Sequence, residues 1–176
     1  TALMSNATGN TLVVASEHRR AKAASAQEMQ YGDGAAALLV GRGAPIARMI
    51  GMASETVDFI PQFRASDRDH DYAWEERWIR DEGYMKIVPS AIDSALKASG
   101  IAASAITHFC MPCTLSRVAP GVAKRVGIGE ATVRDNLAGV CGDTGTAHPL
   151  LMLAHALEQA KAGDKIVVAV LDTGCD

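Results

Sequence analysis

Residues 106–128 of the chain read ITHFCMPCTLSRVAPGVAKRVGI, and this stretch decides the fold class. Its first part, ITHFCM at 106–111, predicts a short buried strand. Apolar residues then recur at helical spacing through Val118, Val122 and Val126 up to Gly127, and Ser116 is a candidate N-terminal cap. The stretch therefore predicts a strand, a turn and a helix.

The sequence downstream continues this alternation. A Gly-rich loop at 139–146 precedes a helix that is apolar over most of its circumference, so we expect that helix to be deeply buried. Its apolar positions are Leu150, Leu151, Leu153, Ala154 and Leu157. The turn Gly163-Asp164 then leads into KIVVAVL at 165–171, which predicts a central strand.

The sequence upstream predicts one more helix. Apolar residues from Tyr84 to Leu96 fall on a single helical stripe, and Gly100 is suited to a left-handed helix cap. Strands and helices thus alternate from residue 84 onward, which predicts parallel strands joined by right-handed crossovers.

The first part of the chain has a different pattern. TLVVAS at 11–16 predicts a strand, residues 35–40 predict a second one after the turn Gly32-Asp33-Gly34, and 47–57 predicts a weaker third. The polar stretch 58–78 predicts a loop with a short helix. A domain boundary is expected near this polar stretch.

Composition limits the class of protein. The 176 residues include 48% hydrophobic and 21% charged residues, with a mean hydropathy of +0.07, which excludes a disordered or collagen-like chain. The net charge is -3 and there is no Lys/Arg-rich stripe, so we expect no nucleic-acid partner. No apolar run reaches the roughly 18 residues of a membrane span, so we expect no membrane insertion. Many small residues predict a tightly layered α/β body.

The four cysteines indicate a reducing environment. Cys110, Cys113, Cys141 and Cys175 are too sparse for a disulfide scaffold, so we expect free thiols and a cytoplasmic location. Cys110 and Cys113 form a lone CxxC, and no second pair completes a zinc site. Two alternatives remain for this pair: a redox dithiol before a helix, or two small buried residues at the end of a strand.

Other polar and aromatic residues permit two interpretations each. The loop Gly142-Asp143-Thr144-Gly145 can bring main-chain N–H groups and a carboxylate to a ligand, or it can be a simple turn. His148, at the start of the following helix, is either a catalyst or a hydrogen-bonded core residue. Trp74 and Trp78 are four residues apart, and they provide either helix packing or a flat face for an adenine.

Four stretches of the sequence, in this order and spacing, carry a resemblance to a known family. They are LVVASEHR (12–19), YGDGAAALLVGRG (31–43), HFCMPCTLSRVAPGVAKRVGI (108–128) and NLAGVCGDTGTAHPLLMLAHALEQAKAGDKIVVAVLDTG (136–174). Together they resemble the thiolase superfamily, in particular the branch of 3-oxoacyl-acyl-carrier-protein synthase III and hydroxymethylglutaryl-CoA synthase.

The resemblance implies an α/β fold with five αβαβα layers made of two similar halves, of which mostly the second is present. Residues 1–48 then form the end of the N-terminal half, and residues 49–176 form a truncated C-terminal half. The chain has no initiator Met and no secretory signal, and we expect it to be a fragment of a longer protein.

The resemblance also implies chemistry. These enzymes acylate a cysteine, generate a carbanion or enolate from a second acyl thioester, and form a carbon–carbon bond by Claisen condensation. Such a reaction needs an activated thiolate and hydrogen-bond donors aimed at the thioester oxygens. The cysteine that is acylated is expected before Thr1, since none of the cysteines present matches it.

Three residues of this chain correspond to the donor motifs of the resembled enzymes. Cys113 follows Pro112, where the branch has the His of a Pro-His-Gln-Ala-Asn motif. Asp143 replaces the Asn of a Gly-Asn-Thr motif, and its carboxylate is suited to a base rather than a donor. Ala147-His148-Pro149 is similar to the Gly-His-Pro motif of thiolases. Cys113, Asp143 and His148 are therefore the candidate site residues.

The resemblance suggests substrates and partners as well. We expect a CoA or acyl-carrier-protein thioester as substrate, no covalently bound cofactor, no metal, and a role in fatty-acid or polyketide biosynthesis. A homodimer is the expected assembly, and some relatives work with a small protein that carries an OB fold and a zinc ribbon.

Two other functions remain open. One is a degenerate subunit of a heteromeric complex, which is structural or binds acyl-CoA. The other, a thioredoxin-like redox module built on the CxxC, fits the strand order and the length poorly.

Overall fold

A computed structural model describes residues 9–172. Its strands are β1 (Thr11–Glu17), β2 (Gly34–Val40), β3 (Gln62–Phe63), β4 (Tyr72–Ala73), β5 (His108–Cys110) and β6 (Ile166–Val168). Its α-helices are α1 (Glu76–Trp78), α2 (Ile87–Ser99), α3 (Val118–Arg125), α4 (Ala138–Cys141) and α5 (His148–Gln159). Strands and helices alternate from α2 onward, which confirms the predicted α/β class.

The parallel pair β5–β6 lies at the centre of the second part of the chain. His108 pairs with Ile166 and Cys110 with Val168 in parallel register, as predicted. All three residues of β5 are buried. Helices α2 and α3 contribute to the main hydrophobic core, and α5 contacts both strands. The fully buried core side chains include Val88, Phe109, Met111, Val122 and Met152.

Strands β1 and β2 form an antiparallel pair in which Thr11 faces Val40 and Glu17 faces Gly34. Both strands were predicted, to within one residue at one end. Alternate residues point to opposite faces, and one face contacts α5 and the turn Gly145–Ala147. The opposite face, with Leu12, Val14 and Leu39, is exposed.

Helix α2 confirms the amphipathic stripe and its cap, because Gly100 adopts the left-handed conformation at φ 67°. The helix begins at Ile87 rather than Tyr84. The chain before it forms one π turn over Ile79–Tyr84, in which the Met85 N–H donates to the Arg80 carbonyl at 2.9 Å. Tyr84 therefore lies in this turn, and its hydroxyl donates to the Pro112 carbonyl at 3.3 Å.

Two local predictions are wrong. Within the described chain, residues 47–57 form no strand; the segment is irregular apart from a single bridge residue, Glu55, and its apolar residues Met49, Ile50 and Met52 are exposed instead of alternating between two faces. Ser116 does not cap α3. The N-terminal cap is Arg117, which has a left-handed backbone at φ 63° and makes no side-chain cap hydrogen bond.

The predicted deep burial of α5 is also wrong. Met152 and Ala156 are buried against the β5–β6 pair, but the leucines predicted as core are only half-buried. Strand β2 contacts α5 as well as β5 and β6, so two strand pairs of the described residues pack against the helix without burying its leucines completely.

The polar stretch 58–78 forms a small hairpin, β3–β4, followed by the short helix α1, which agrees with the prediction of a loop and a short helix. Trp78 stacks on Phe59 with ring centroids 4.5 Å apart, so it takes part in aromatic packing. Within the described residues, no helix has the length and apolar character needed to cross a membrane.

Candidate functional site

The first wall of the candidate site is the loop after β5, which carries Cys113. This thiol is buried, and its Sγ lies 3.9 Å from the Leu115 carbonyl, to which it donates. Burial raises the pKa of Cys113 to about 11, against smaller lowering effects of contacts with Leu115 and Tyr84. Cys113 is therefore a neutral thiol at pH 7 and a poor nucleophile.

The second wall is the loop that holds Asn136. Its amide Nδ2 donates to the Cys113 carbonyl at 2.7 Å, and its Oδ1 accepts from the Ala138 N–H at 3.1 Å. Asn136 thus joins the start of α4 to the Cys113 loop. It was not among the predicted site residues; the signal available in the sequence was an Asn two residues before a helical segment, where its side chain can accept a main-chain N–H.

The third wall is the turn before α5, which carries Asp143. The carboxylate oxygen Oδ1 accepts from the Gly145 N–H at 2.9 Å. The main chain of Asp143 is held by the first part of the molecule, since its N–H donates to Gln30 and its carbonyl accepts from the Gly32 N–H at 3.0 Å. Gly32 is required there, because a Cβ on it would lie 1.8 Å from the Cys141 carbonyl oxygen.

Arg19, which follows β1, completes the environment of Asp143. Its Nη2 lies 2.9 Å from Asp143 Oδ2 and also donates to the Asp143 carbonyl at 3.0 Å. The guanidinium lies over the ring of Tyr31, 3.9 Å from the centroid. Burial lowers the pKa of Arg19, but the hydrogen bond and the charge of Asp143 together raise it by more. The pKa of Arg19 is therefore above its ordinary value.

His148 is buried and has partners on both ring nitrogens. Nδ1 accepts from the Thr144 N–H at 3.0 Å, so Nε2 carries the proton and donates to the Asn136 carbonyl. Nδ1 also lies 4.0 Å from Asp143 Oδ1. Of the two interpretations of His148, the contacts match a hydrogen-bonded core residue.

The three predicted site residues therefore share one network. Asn136 contacts Cys113 through its amide and His148 through its carbonyl, and His148 reaches the turn that carries Asp143. The negative charge of Asp143 also raises the pKa of Cys113, which places both residues in one electrostatic environment. Arg19 and Asn136 are the members of this network that were not among the predicted site residues.

The remaining histidines and cysteines lie outside this network. His18 faces Asp33 at 2.7 Å on the surface, and His108 Nε2 lies 3.1 Å from Asp164. Cys110, Cys113 and Cys141 are free, as predicted, whereas Cys175 lies outside the described residues. Within 9–172, no group of three or more His, Cys, Asp or Glu side chains is arranged to hold a metal ion.

A comparison with curated proteins finds a relative of this chain. The chain is 26% identical over 171 residues to hydroxymethylglutaryl-CoA synthase of Aeropyrum pernix, which covers 97% of this chain and 47% of that protein. No family model matches the sequence. The chain spans about half the length of the relative that it matches.

Solved structures give the same relationship in three dimensions. The 3-oxoacyl-(acyl carrier protein) synthase III of Pseudomonas aeruginosa PAO1 superposes with a TM-score of 0.76 at 20% identity, over 92% of this chain and 54% of that one. A variant of OleA from Xanthomonas campestris superposes with a TM-score of 0.74 at 20% identity, over 95% and 55%. The described chain therefore has the thiolase-like fold, and the resemblance to this superfamily predicted from the sequence is confirmed.

Proposed function

We propose that this chain is part of a thiolase-like condensing acyltransferase, of the 3-oxoacyl synthase III type, and that the Cys113, Asn136 and Asp143 loops form one side of its acyl-thioester pocket. The convergence of these three loops carries the proposal. They are three separate loops between β5 and α5, and hydrogen bonds through Asn136 and His148 hold them together.

Cys113 acts in this proposal as a neutral group that lines the pocket. Its raised pKa keeps the thiol protonated at pH 7, and its S–H donates to the Leu115 carbonyl, so Cys113 presents a neutral, weakly polar sulfur to the pocket. The acylated cysteine is a different residue, expected upstream of Thr1. Claisen condensation then requires loss of an α-proton from the second thioester and attack of the resulting carbanion on the acyl-cysteine carbonyl. The new carbon–carbon bond forms as the C–S bond of the acyl-cysteine breaks and the cysteine thiolate leaves.

Asp143 and His148 have separate roles. The carboxylate of Asp143 accepts hydrogen bonds and is suited to receive the α-proton, but it donates none while ionised. Both nitrogens of His148 are engaged inside the protein, so His148 orients the Asp143 and Asn136 loops and contacts no substrate.

Exposed apolar surfaces of the described chain support the proposal that it is part of a larger protein. We propose that residues 1–48 belong to the first half of the fold and 49–176 to the second. The exposed apolar face of β1–β2 and the half-buried leucines of α5 are surfaces for the remainder of the protein to cover. A homodimer, a cytoplasmic location, CoA or carrier-protein substrates and a small OB-fold partner remain part of the proposal.

Intact-mass analysis of the full-length protein after incubation with a panel of acyl-CoAs tests the proposal. We expect an acyl adduct on a cysteine other than Cys113, and a condensation product when a second thioester is supplied. Cys113→Ala is expected to keep the adduct but to lower the condensation rate. Absence of any adduct across the panel rejects thioester exchange, and an unchanged rate in Cys113→Ala removes Cys113 from the pocket.

A second function is favoured by one observation. Asp143 is held by Arg19 and by the Gly145 N–H, so the side chain at this position supplies no donor for an oxyanion. This arrangement suits a subunit that binds acyl-CoA without condensing it. Binding of acyl-CoA by calorimetry with no covalent adduct identifies the second function, whereas binding followed by an adduct identifies the first.

A further inference from the structure

Arg19 is a buried cation whose charge has few partners. Only 8% of the residue is exposed, and its Nε and Nη1 atoms have no hydrogen-bond partner within the described residues. Asp143 is the carboxylate within ion-pair distance of the guanidinium among those residues, and the ring face of Tyr31 adds a cation–π contact. A buried charge is costly unless it is paired, so Arg19 depends on Asp143.

Asp143 depends on Arg19 in the same way. Asp143 stands where the resembled enzymes carry a neutral asparagine, so this site has a negative charge that an amide does not bring. Arg19 offsets this charge from a segment 124 residues away in the sequence. The Nη2 atom contacts both the side chain and the main-chain carbonyl of Asp143, which fixes the direction of the carboxylate as well as its charge.

We propose that Arg19 is a positioning residue of the acyl-thioester pocket, which supplies the counter-charge that permits an aspartate at position 143 and holds its carboxylate in place. The catalytic consequence of this inference rests on the proposed function. Its structural consequence is that Arg19 and Asp143 must change together. Neutralising either residue alone leaves a charge without its partner, whereas combining Arg19→Gln with Asp143→Asn removes both charges and avoids that loss.

The charge dependence is tested by thermal unfolding of the full-length protein with Arg19→Gln, Asp143→Asn and the double variant. We expect each single change to lower the Tm by roughly 3 °C or more, and the double variant to lower it by less than the sum. Arg20→Gln, an exposed neighbour, is the matched control and is expected to leave the Tm unchanged. Additive single effects overturn the proposal.

The positional role is tested by the carboxyl-carbon NMR signal of Asp143, assigned by its loss in Asp143→Asn. This signal is expected to move in Arg19→Gln, to move less in Arg19→Lys, which keeps the charge, and to stay in Arg20→Gln. An unmoved signal in Arg19→Gln overturns the proposal. The measurement needs no turnover, so it decides the role of Arg19 even if the full-length protein forms no acyl adduct and the proposed function fails.

Condensation kinetics give the catalytic consequence in an active protein. Below the Tm of all variants, Arg19→Gln is expected to lower kcat by about 10-fold or more with little change in KM, because a displaced catalytic group slows the chemical step. Arg19→Lys is expected to recover part of this loss. A lowered Tm with an unchanged kcat reduces Arg19 to a purely structural residue and overturns its positioning role.

Discussion

His148 donates its Nε2–H to the main-chain carbonyl of Asn136, and this contact joins the start of α5 to the Asn136 loop, whose side-chain amide in turn donates to the Cys113 carbonyl. The opposite ring nitrogen accepts the Thr144 N–H, so the imidazole links two loops and has a single tautomer. The sequence allows either a catalyst or a hydrogen-bonded core residue at this position. The engagement of both ring nitrogens within the protein favours the core residue.

Replacement of His148 by Ala is expected to destabilise the protein by roughly 2–4 kcal/mol, because it leaves a buried N–H and a buried carbonyl unpaired and creates a cavity. Chemical unfolding followed by circular dichroism measures this change. His155→Ala is the control, since His155 lies on the same helix with a half-exposed ring. Equal losses in the two variants contradict the bridging role of His148.

Asn136→Asp is an isosteric test of the second loop. The new carboxylate still accepts the Ala138 N–H but no longer donates to the Cys113 carbonyl, so we expect a loss of about 1–3 kcal/mol in unfolding free energy. Asp135→Asn is the matched control, because Asp135 Oδ1 only accepts the Leu137 N–H and an amide oxygen preserves that bond. If both variants unfold alike, the Asn136 amide does not support the Cys113 loop.

The sequence predicted features that depend on neighbouring residues, and it did not predict contacts between residues far apart in the chain. Helix α2 and its end at Gly100 were predicted because the apolar stripe and the left-handed glycine act within a few residues. The pairing of Arg19 with Asp143 was not predicted, because nothing local in either segment indicates a partner 124 residues away. The resemblance indicated Cys113, Asp143 and His148 as site residues, whereas Asn136 was identified only from its contacts in the structure.

The failures have physical causes as well. The left-handed conformation of Arg117 at the start of α3 costs roughly 1 kcal/mol, and only the surrounding fold compensates for it. The apolar circumference of α5 predicted deep burial, but its leucines are only half-buried although the helix contacts β2, β5 and β6. The pattern indicates which positions pack, and it does not determine how completely each one is covered.

Gly142→Ala is expected to destabilise the protein by about 1–3 kcal/mol. Gly142 has φ 70° and ψ -173°, a conformation that L-residues rarely adopt, and its new Cβ lies 2.9 Å from the Gly32 N. Gly139→Ala in α4 is the control, because its Cβ meets no atom within 4 Å. We expect Gly139→Ala to be neutral or stabilising by about 0.5–1 kcal/mol in the same unfolding measurement. A loss as large as that of Gly142→Ala contradicts the argument.

The thiols are expected to react in order of exposure. At pH 7.5, iodoacetamide is predicted to modify half-exposed Cys141 well before Cys110 and Cys113, which are buried and protonated. Peptide mass spectrometry over time measures the order, and a sample in urea, in which all cysteines react, is the control. Modification of Cys113 as fast as Cys141 in the folded protein shows that the Cys113 loop opens.

Alkaline pH is expected to destabilise the protein through the same buried thiols. Burial raises the pKa of Cys110 and of Cys113 to about 11, whereas a thiol in an unfolded chain titrates near about 8.5. Between these values the unfolded chain has released thiol protons that the folded chain keeps. The contribution of each thiol is therefore complete below about pH 8.5 and is lost as the pH rises toward 11, on the order of 1–3 kcal/mol per thiol.

Urea unfolding at a series of pH values between 8 and about 10.5 measures this dependence. Cys113→Ala removes one of the two groups, so its unfolding free energy is expected to fall less steeply with pH than that of the unaltered protein. Cys141→Ala, at a half-exposed position, is the matched control and is expected to keep the original slope. Parallel curves for Cys113→Ala and the unaltered protein mean that the Cys113 thiol is accessible to water, and such a result removes the argument that it lines the pocket as a neutral group.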